Sequence, residues 1–234
     1  MQAVFFHAFG ADRLSWAGTT PALSGVTSVA GDLPGHGKRI DDLGDGSLAD
    51  LADRSAMGPD EGKAWYVGHS LGGSIALELA AREPERCAGL VLMCPLGLGT
   101  LSGLDPVVAY PQIQSVEDMD IALKAMVEKK AVISDQFAAY GFGHLNRPGA
   151  REALTRIADQ LPRIAEDTRK AIEVVVDHQI ETTVIWGTKD SVTQPDTATI
   201  PKAWDLHTLA DVGHVPHIEA LKDVNALLRT KLTS

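Results

Sequence analysis

Gly68-His69-Ser70-Leu71-Gly72 has the form G-x-S-x-G, and its flanks decide the fold. Ala64–Val67 before it is a short apolar run. Leu71–Arg82 after it sets Leu71, Ile75 and Leu79 on one helical face, with Ala76 and Ala80 beside them. Pro84 then stops the helix. A G-x-S-x-G between strand and helix is the setting of a nucleophile elbow, in which small residues permit a strained turn that lifts a serine hydroxyl clear of a sheet. The helix that follows points its positive N-terminal end at negative charge developing beside that serine. The competing reading is an ordinary glycine-rich turn, and the flanking elements favour the elbow.

Working outward, apolar runs alternate with helical patterns. Ala3–Phe9, Val26–Gly31, Ala64–Val67, Ala88–Met93, Thr182–Trp186 and Trp204–Leu209 read as strands. Ser47 is placed to cap a helix reaching Met57. A last helix after Pro216 carries Ile218, Leu221, Val224 and Leu228 at core spacing. Apolar strands separated by helices predict an α/β fold with a parallel sheet covered on both faces. Ligands of such sheets bind beyond the carboxyl ends of the strands. From 96 to 178 the alternation stops, and Val116–Lys130, Ser134–Tyr140, Gly149–Leu161 and Arg163–Asp177 all read as helices. The expected organisation is a core from residues 1–95 and 179–234, with 96–178 inserted as a helical cap.

Composition narrows the function classes. The 234 residues are 44% hydrophobic and 22% charged, which excludes wholesale disorder. The net charge of −10 comes with no basic run, so neither nucleic acid nor an anionic membrane surface is an expected partner. No cationic segment precedes the first apolar run, so no targeting segment is expected. The uncharged stretch Ala88–Leu104 contains Pro95 and four glycines and is shorter than the ~20 residues a spanning helix needs. Cys87 and Cys94, at the ends of an extended strand, would stand roughly 23 Å apart, too far for a disulfide. Free thiols fit a reducing cytoplasm, the expected location.

A serine needs a base, and the base needs an orienting acid. Behind an elbow the chain order is Ser, then Asp or Glu, then His. Asp190 closes Trp186-Gly187-Thr188-Lys189-Asp190 after the fifth strand, and His214 follows Gly213 after the sixth. His217 is the real competitor to His214. Position weakens the others: His69 lies inside the elbow, His36 in a turn, His144 and His178 in or beside the cap, and His207 in mid-strand. Asp211 is the alternative acid, but so close to His214 that a turn-forming role is favoured. Asp32 precedes the serine and is read as bracing the Pro34-Gly35 turn. Two backbone N–H groups are needed for an oxyanion, one from Leu71 and one from the loop His7–Gly10, at Phe9. No C-x-x-C, zinc-type histidine spacing or G-x-G-x-x-G after a strand is present, so neither a metal nor a cofactor is expected.

His7–Gly10, Asp32–Gly37, Gly68–Gly72, Trp186–Asp190 and Gly213-His214 occur in the order of the alpha/beta-hydrolase superfamily, which the chain resembles nearly throughout outside the cap. The resemblance implies a Ser70–His214–Asp190 triad and a cap that shapes an acyl-binding pocket. Pro95–Gly99 and the run Gly213–Ala220 leading to Asp223-Val224-Asn225 are similar to the hydrolase-type domain attached to acetoin dehydrogenase transacetylase (E2) components. Small carboxylesterases and enol-lactonases share much of the rest. A full E2 component also carries a lipoyl domain, for which 234 residues leave no room, so the likeness is to the hydrolase-type domain alone.

Two departures stand out. Ala8 occupies a position that is usually glycine in the family, placing a methyl group beside the oxyanion loop. Only six residues precede His7, where the full fold has two further strands, so a trimmed sheet of about six parallel strands is expected. The expected function is a serine hydrolase cleaving a small ester, thioester or lactone through an acyl-enzyme, with a small-molecule acyl substrate as its partner. Acyl transfer to an alcohol or thiol is one alternative, and a non-catalytic accessory protein is another. Met119, Met126, Phe137, Tyr140 and Phe142 are available in the cap to line a dry pocket for small apolar acyl groups. Phe137, Tyr140 and Phe142 read equally well as plain core.

Overall fold

The computed structural model describes residues 1–57, 62–100, 103–194 and 196–233. Leu101 and Ser102, part of the expected cap, lie outside the described residues. The strands are β1 Gln2–Phe6, β2 Thr27–Ala30, β3 Ala64–His69, β4 Cys87–Met93, β5 Thr182–Gly187 and β6 Asp205–Leu209. The α-helices are α1 Leu48–Ser55, α2 Leu71–Arg82, α3 Asp105–Ala109, α4 Val116–Met126, α5 Asp135–Leu145, α6 Ala150–Asp177, α7 Pro216–Glu219 and α8 Leu221–Thr233.

The six strands form one sheet in the order β2-β1-β3-β4-β5-β6, and every pairing is parallel. The trimmed α/β sheet expected from the sequence is therefore what forms. The chain leaves β1 for β2 on one side and returns to β3 on the other. The carboxyl ends of β1 and β3 consequently diverge at a switch point, where this kind of sheet opens a crevice.

Side chains alternate across the strands with period two. Val4, Phe6, Tyr66, Leu92 and Trp186 face one way and pack with Leu71 and Ile75 of α2 and Ile164 and Ala165 of α6. Phe5, Val67, Val91, Met93 and Ile185 face the other way, against Trp16 and against Val224, Leu228 and Leu232 of α8. Because both faces are buried, the central strands read as continuous apolar runs rather than alternating ones. Each fully buried side chain of this kind contributes about 1.5–3 kcal/mol.

Helix starts follow their caps. Ser47, Ser115 and Ser134 each accept a backbone N–H of the first turn, from Asp50 (3.2 Å), Asp118 (3.0 Å) and Phe137 (3.2 Å).

Several helices differ from the sequence expectation: α3 is not among the helices read from the sequence, and α5 runs on to Leu145 rather than ending at Tyr140. The two helices read at 149–161 and 163–177 are one, α6, with Pro162 inside it. A mid-helix proline costs about 3 kcal/mol. Burial of Ala158, Leu161, Ile164 and Ala165 around it outweighs that cost. The helix expected to reach Lys130 stops at Met126, because the Met126 carbonyl accepts the His214 N–H (2.8 Å) instead of continuing the helical ladder. The last helix is broken at Ala220, whose φ of −127° and ψ of 43° separate α7 from α8. Among the described residues no helix is long and apolar enough to cross a membrane.

Candidate active site

The elbow is tight enough to dictate its glycines. A Cβ on Gly68 would lie 2.3 Å from the Gly72 carbonyl oxygen, and one on Gly72 would lie 2.2 Å from that of Phe6. Ser70 between them holds φ 52° and ψ −116°, a conformation that costs an L-residue about 1–3 kcal/mol. Its surroundings enforce it. The Ser70 N–H donates to Met93 O (2.9 Å), and the Ser70 carbonyl accepts from Gly73 N (2.9 Å) and Leu96 N (3.4 Å). The Ser74 hydroxyl donates to Leu96 O (3.0 Å) and ties the turn to the end of β4. Ser70 thus stands at the start of α2, whose first N–H groups, Leu71 among them, have no partner within the helix.

His214 and Asp190 meet across the ends of β5 and β6. His214 Nδ1 lies 2.9 Å from Asp190 Oδ2 and 3.0 Å from Oδ1. The carboxylate also accepts from Val192 N (2.8 Å), Thr193 N (3.0 Å), the Thr193 hydroxyl (2.9 Å) and the Trp186 indole N–H (3.0 Å). Burial opposes its ionisation, but the facing imidazole and these donors outweigh burial and hold the acid below its ordinary pKa. With Nδ1 engaged as a donor, Nε2 of His214 is left as the basic nitrogen.

The loop carrying His214 is fastened to the cap side by a residue the sequence reading did not single out. Glu219 is buried, and its Oε1 accepts from Gly213 N (3.0 Å) and Val215 N (3.4 Å), one on each side of His214. Its Oε2 accepts from Glu128 N (2.8 Å) and Lys129 N (3.0 Å), just past α4. Trp186 and Thr193 were likewise missed as partners of Asp190. The one signal available was that Glu219 falls within the run Gly213–Ala220 that carried the E2-type likeness.

A cavity of about 360 Å³ lies between the sheet edge and the cap helices, and Ser70, His214, Phe9 and Ala8 all line it. The loop after β1 is braced by two buried histidines. His7 donates from Nδ1 to Ala8 O (2.8 Å) and accepts Leu33 N–H at Nε2 (2.9 Å). His36 donates to Pro34 O (2.9 Å) and accepts Gly10 N–H (3.0 Å). Burial lowers their pKa values to about 4 and about 3 respectively, so both stay neutral. Among the described residues a non-glycine positive φ occurs at Ser70, Cys94, Gln179 and Asp211, so the Ala8 methyl is carried without that strain. Asp32 accepts from Arg13 N (3.0 Å) and Lys38 N (2.8 Å) and pairs with the Arg13 guanidinium (2.9 Å), spanning the turn that follows β2.

The remaining candidates fall elsewhere. His217 lines the cavity but stacks on Trp16 with centroids 4.5 Å apart, and burial lowers its pKa to about 3. His69 donates from Nε2 to the His214 carbonyl (2.7 Å) and so buttresses that loop from below. Asp211 is exposed and takes part in a turn, its N–H donating to the Thr188 hydroxyl (3.2 Å). His207 pairs with Asp205 (2.8 Å) on the sheet edge, and His178 ends α6. Phe137 and Tyr140 line the cavity, whereas Phe142 packs in a small cap cluster with Met119 and Leu145.

Cys87 and Cys94 are both free and buried. Cys94 Sγ approaches Asp190 and His214 closely enough to suggest a ligand set. The donors fit a metal poorly: burial pushes the thiol well above its ordinary pKa, and the Asp190 oxygens already accept several hydrogen bonds.

A parallel sheet with a switch-point crevice, a strained serine between strand and helix, and a histidine–aspartate pair on the neighbouring strand ends define an alpha/beta hydrolase. The chain belongs to the alpha/beta hydrolase family, which it matches over residues 3–227. It is similar to the dihydrolipoyllysine-residue acetyltransferase component of the acetoin cleaving system of Cupriavidus necator, 28% identical over 98% of this chain and 63% of that one. The component of the same name from Pseudomonas putida is 30% identical over 95% of this chain and 60% of its own. The chain therefore spans a little under two thirds of the length of these curated relatives. The solved structure of a meta-cleavage product hydrolase from Pseudomonas fluorescens superposes with a TM-score of 0.82 at 23% identity, covering 98% of this chain and 89% of that one.

Proposed function

We propose that the protein is a serine hydrolase that opens a small ester, thioester or lactone through an acyl-enzyme. The observation that carries this reading is the buried Asp190–His214 pair behind a strained Ser70, with Ser70 and His214 both lining one cavity. Ser70 Oγ attacks the carbonyl carbon while His214 Nε2 takes its proton. The backbone N–H groups of Phe9 and Leu71 hold the oxyanion that forms. Collapse breaks the bond to the leaving group, which receives the proton from His214. Water then attacks the acyl-enzyme, gives its proton to His214, and Ser70 recovers it as the acid departs. Asp190 fixes the imidazole tautomer and stabilises its charged form throughout. A cavity of about 360 Å³, largely apolar in its walls, suits a small acyl group.

The similarity to acetyltransferase components favours one second reading, in which a thiol replaces water in the second half-reaction. A panel of p-nitrophenyl esters, lactones and acyl thioesters, run with and without an added thiol, separates the two. Hydrolysis at a rate independent of thiol supports the first reading, and acylated thiol as the main product supports the second. A fluorophosphonate probe should label the wild type once, at Ser70. Folded protein that stays unlabelled while a known serine esterase reacts removes both.

A further inference from the structure

Away from Ser70, the cavity wall holds a second polar group that the proposed chemistry does not use. Asp12 follows the oxyanion loop, and its side chain is only 7% exposed. One carboxylate oxygen accepts Leu14 N–H (2.7 Å). The other accepts the hydroxyl of Tyr140, which reaches across from α5. His144, one turn further along α5, lies against Tyr140 with ring centroids 4.2 Å apart and has Nδ1 3.5 Å from the same Asp12 oxygen. All three side chains line the cavity that Ser70 and His214 line.

The ion pairs of the described residues give the Asp12 carboxylate no directly contacting Lys or Arg, although Arg147, which does not line the cavity, acts electrostatically on Tyr140 and His144. Arg13, the adjacent cation, is turned away and paired with Asp32. Among the described residues no Lys or Arg lines the cavity. A buried carboxylate is normally matched by a cation or by a full set of donors. Here the spare capacity is mostly on the accepting side, with the second lone pairs of the Asp12 oxygens and of the Tyr140 hydroxyl still open. Such a wall attracts an O–H or N–H and repels a second carboxylate.

We infer that the Asp12–Tyr140–His144 cluster is a substrate-recognition site for a hydrogen-bond donor, a hydroxyl or a protonated amine, on the part of the substrate remote from the reacting carbonyl, and that it excludes carboxylate-bearing substrates. The inference rests on the serine-hydrolase reading of Ser70 and names its substrate class.

The test uses two matched series: p-nitrophenyl esters of short acids, and acetate esters of short alcohols. Each is terminated in methyl, hydroxyl, ammonium or carboxylate at constant chain length. For each protein, kcat/KM is expressed relative to the methyl-terminated member. In the wild type, at least one series should favour the hydroxyl or ammonium ending by about tenfold or more and disfavour carboxylate by a similar factor. Asp12→Asn keeps an acceptor for Leu14 N–H, since Asn caps as well as Asp, but it removes the charge. It should bring the carboxylate and ammonium members towards the methyl ester. Tyr140→Phe should weaken the hydroxyl preference. Equal ratios in both series, or ratios that Asp12→Asn leaves unchanged, overturn the inference while turnover of the methyl esters keeps the hydrolase reading. Absence of all turnover together with absence of fluorophosphonate labelling removes that reading, and this inference with it.

Discussion

His214 donates from Nδ1 to Asp190 Oδ2 over 2.9 Å, and the receiving side chain is fully shielded from solvent. Asp211 is three residues from His214 in the chain, yet it is exposed in a turn. Sequence distance and spatial partnership therefore part company here. Asp190→Asn should keep the packing with Trp186 and Thr193 but favour the wrong imidazole tautomer, lowering kcat by about three to four orders of magnitude. Asp211→Asn should act within about twofold of wild type, because Asn tolerates the positive φ of 54° at that site. Steady-state kinetics on one activated ester compares them. A crippled Asp211→Asn beside a near-normal Asp190→Asn would reverse the assignment.

Glu219 makes a different prediction, because it acts on His214 through the backbone. Its oxygens accept N–H groups from Gly213, Val215, Glu128 and Lys129. Glu219→Gln keeps the length but turns an NH2 group towards one pair of those donors. The expected cost is about 1–3 kcal/mol of stability, from buried N–H groups left unsatisfied. If the clamp positions His214, kcat should fall by at least about tenfold with KM little changed, since in the proposed mechanism the imidazole acts on the reacting atoms and not on the remote part of the substrate. Urea unfolding and Michaelis–Menten analysis on the same samples separate the two effects. A stability loss with unaltered kcat would reduce Glu219 to a purely structural clamp.

How far these features were legible depends on where their partners sit in the chain. The elbow was legible because its motif and flanks are local and Gly68 faces the backbone of Gly72 and Gly73, although Gly72 is also constrained by the distant Phe6 on the adjoining strand. The four central strands were legible because both of their faces are buried, which compresses them into apolar runs, while the edge strands β2 and β6 are more exposed and more polar. Continuity of α6 was not, because Pro162 is a strong local breaker and its compensation comes from packing with residues distant in sequence. Glu219, Thr193 and Asp12 were illegible for a related reason. Glu219 and Asp12 accept hydrogen bonds from backbone groups or from a distant side chain, whereas Thr193 donates to Asp190 from its backbone N–H and its hydroxyl, and no residue pattern encodes such partners.

Acid should unfold this protein through its neutral histidines. In the unfolded chain a histidine takes up a proton near pH 6.5. In the folded state burial, the largest cause at each, holds His7 neutral down to about 4 and His36 and His217 down to about 3. Between those limits the unfolded state binds more protons. The stability contributed is complete above about pH 6.5 and is lost as the pH falls towards 4. Each histidine should approach a slope of about 1.4 kcal/mol per pH unit within that window. Urea midpoints at pH 7, 6 and 5 measure the trend, and His217→Gln should flatten it by one proton. Equal stability at pH 5 and pH 7 would show that these rings are not buried neutral.

The last prediction sets stability against function at one residue. Ser70 is held at φ 52° and ψ −116° by hydrogen bonds to Met93 and Leu96, and in that conformation the residue stands on the wall of the cavity. A side chain there costs about 1–3 kcal/mol. Glycine carries no such cost in the folded state, but it loses about 0.5–1 kcal/mol more conformational entropy on folding. The balance favours Ser70→Gly by about 1 kcal/mol, or about 2–4 °C in Tm for a chain of this size. Ser70→Ala keeps the Cβ and therefore the strain, so it should gain little. Both variants should lose fluorophosphonate labelling and turnover alike, so the difference between them isolates the backbone from the hydroxyl. Calorimetry on the three proteins decides it. Ser70→Gly melting at or below Ser70→Ala would mean that the turn stores no strain, and the geometry that presents the hydroxyl would then need another source.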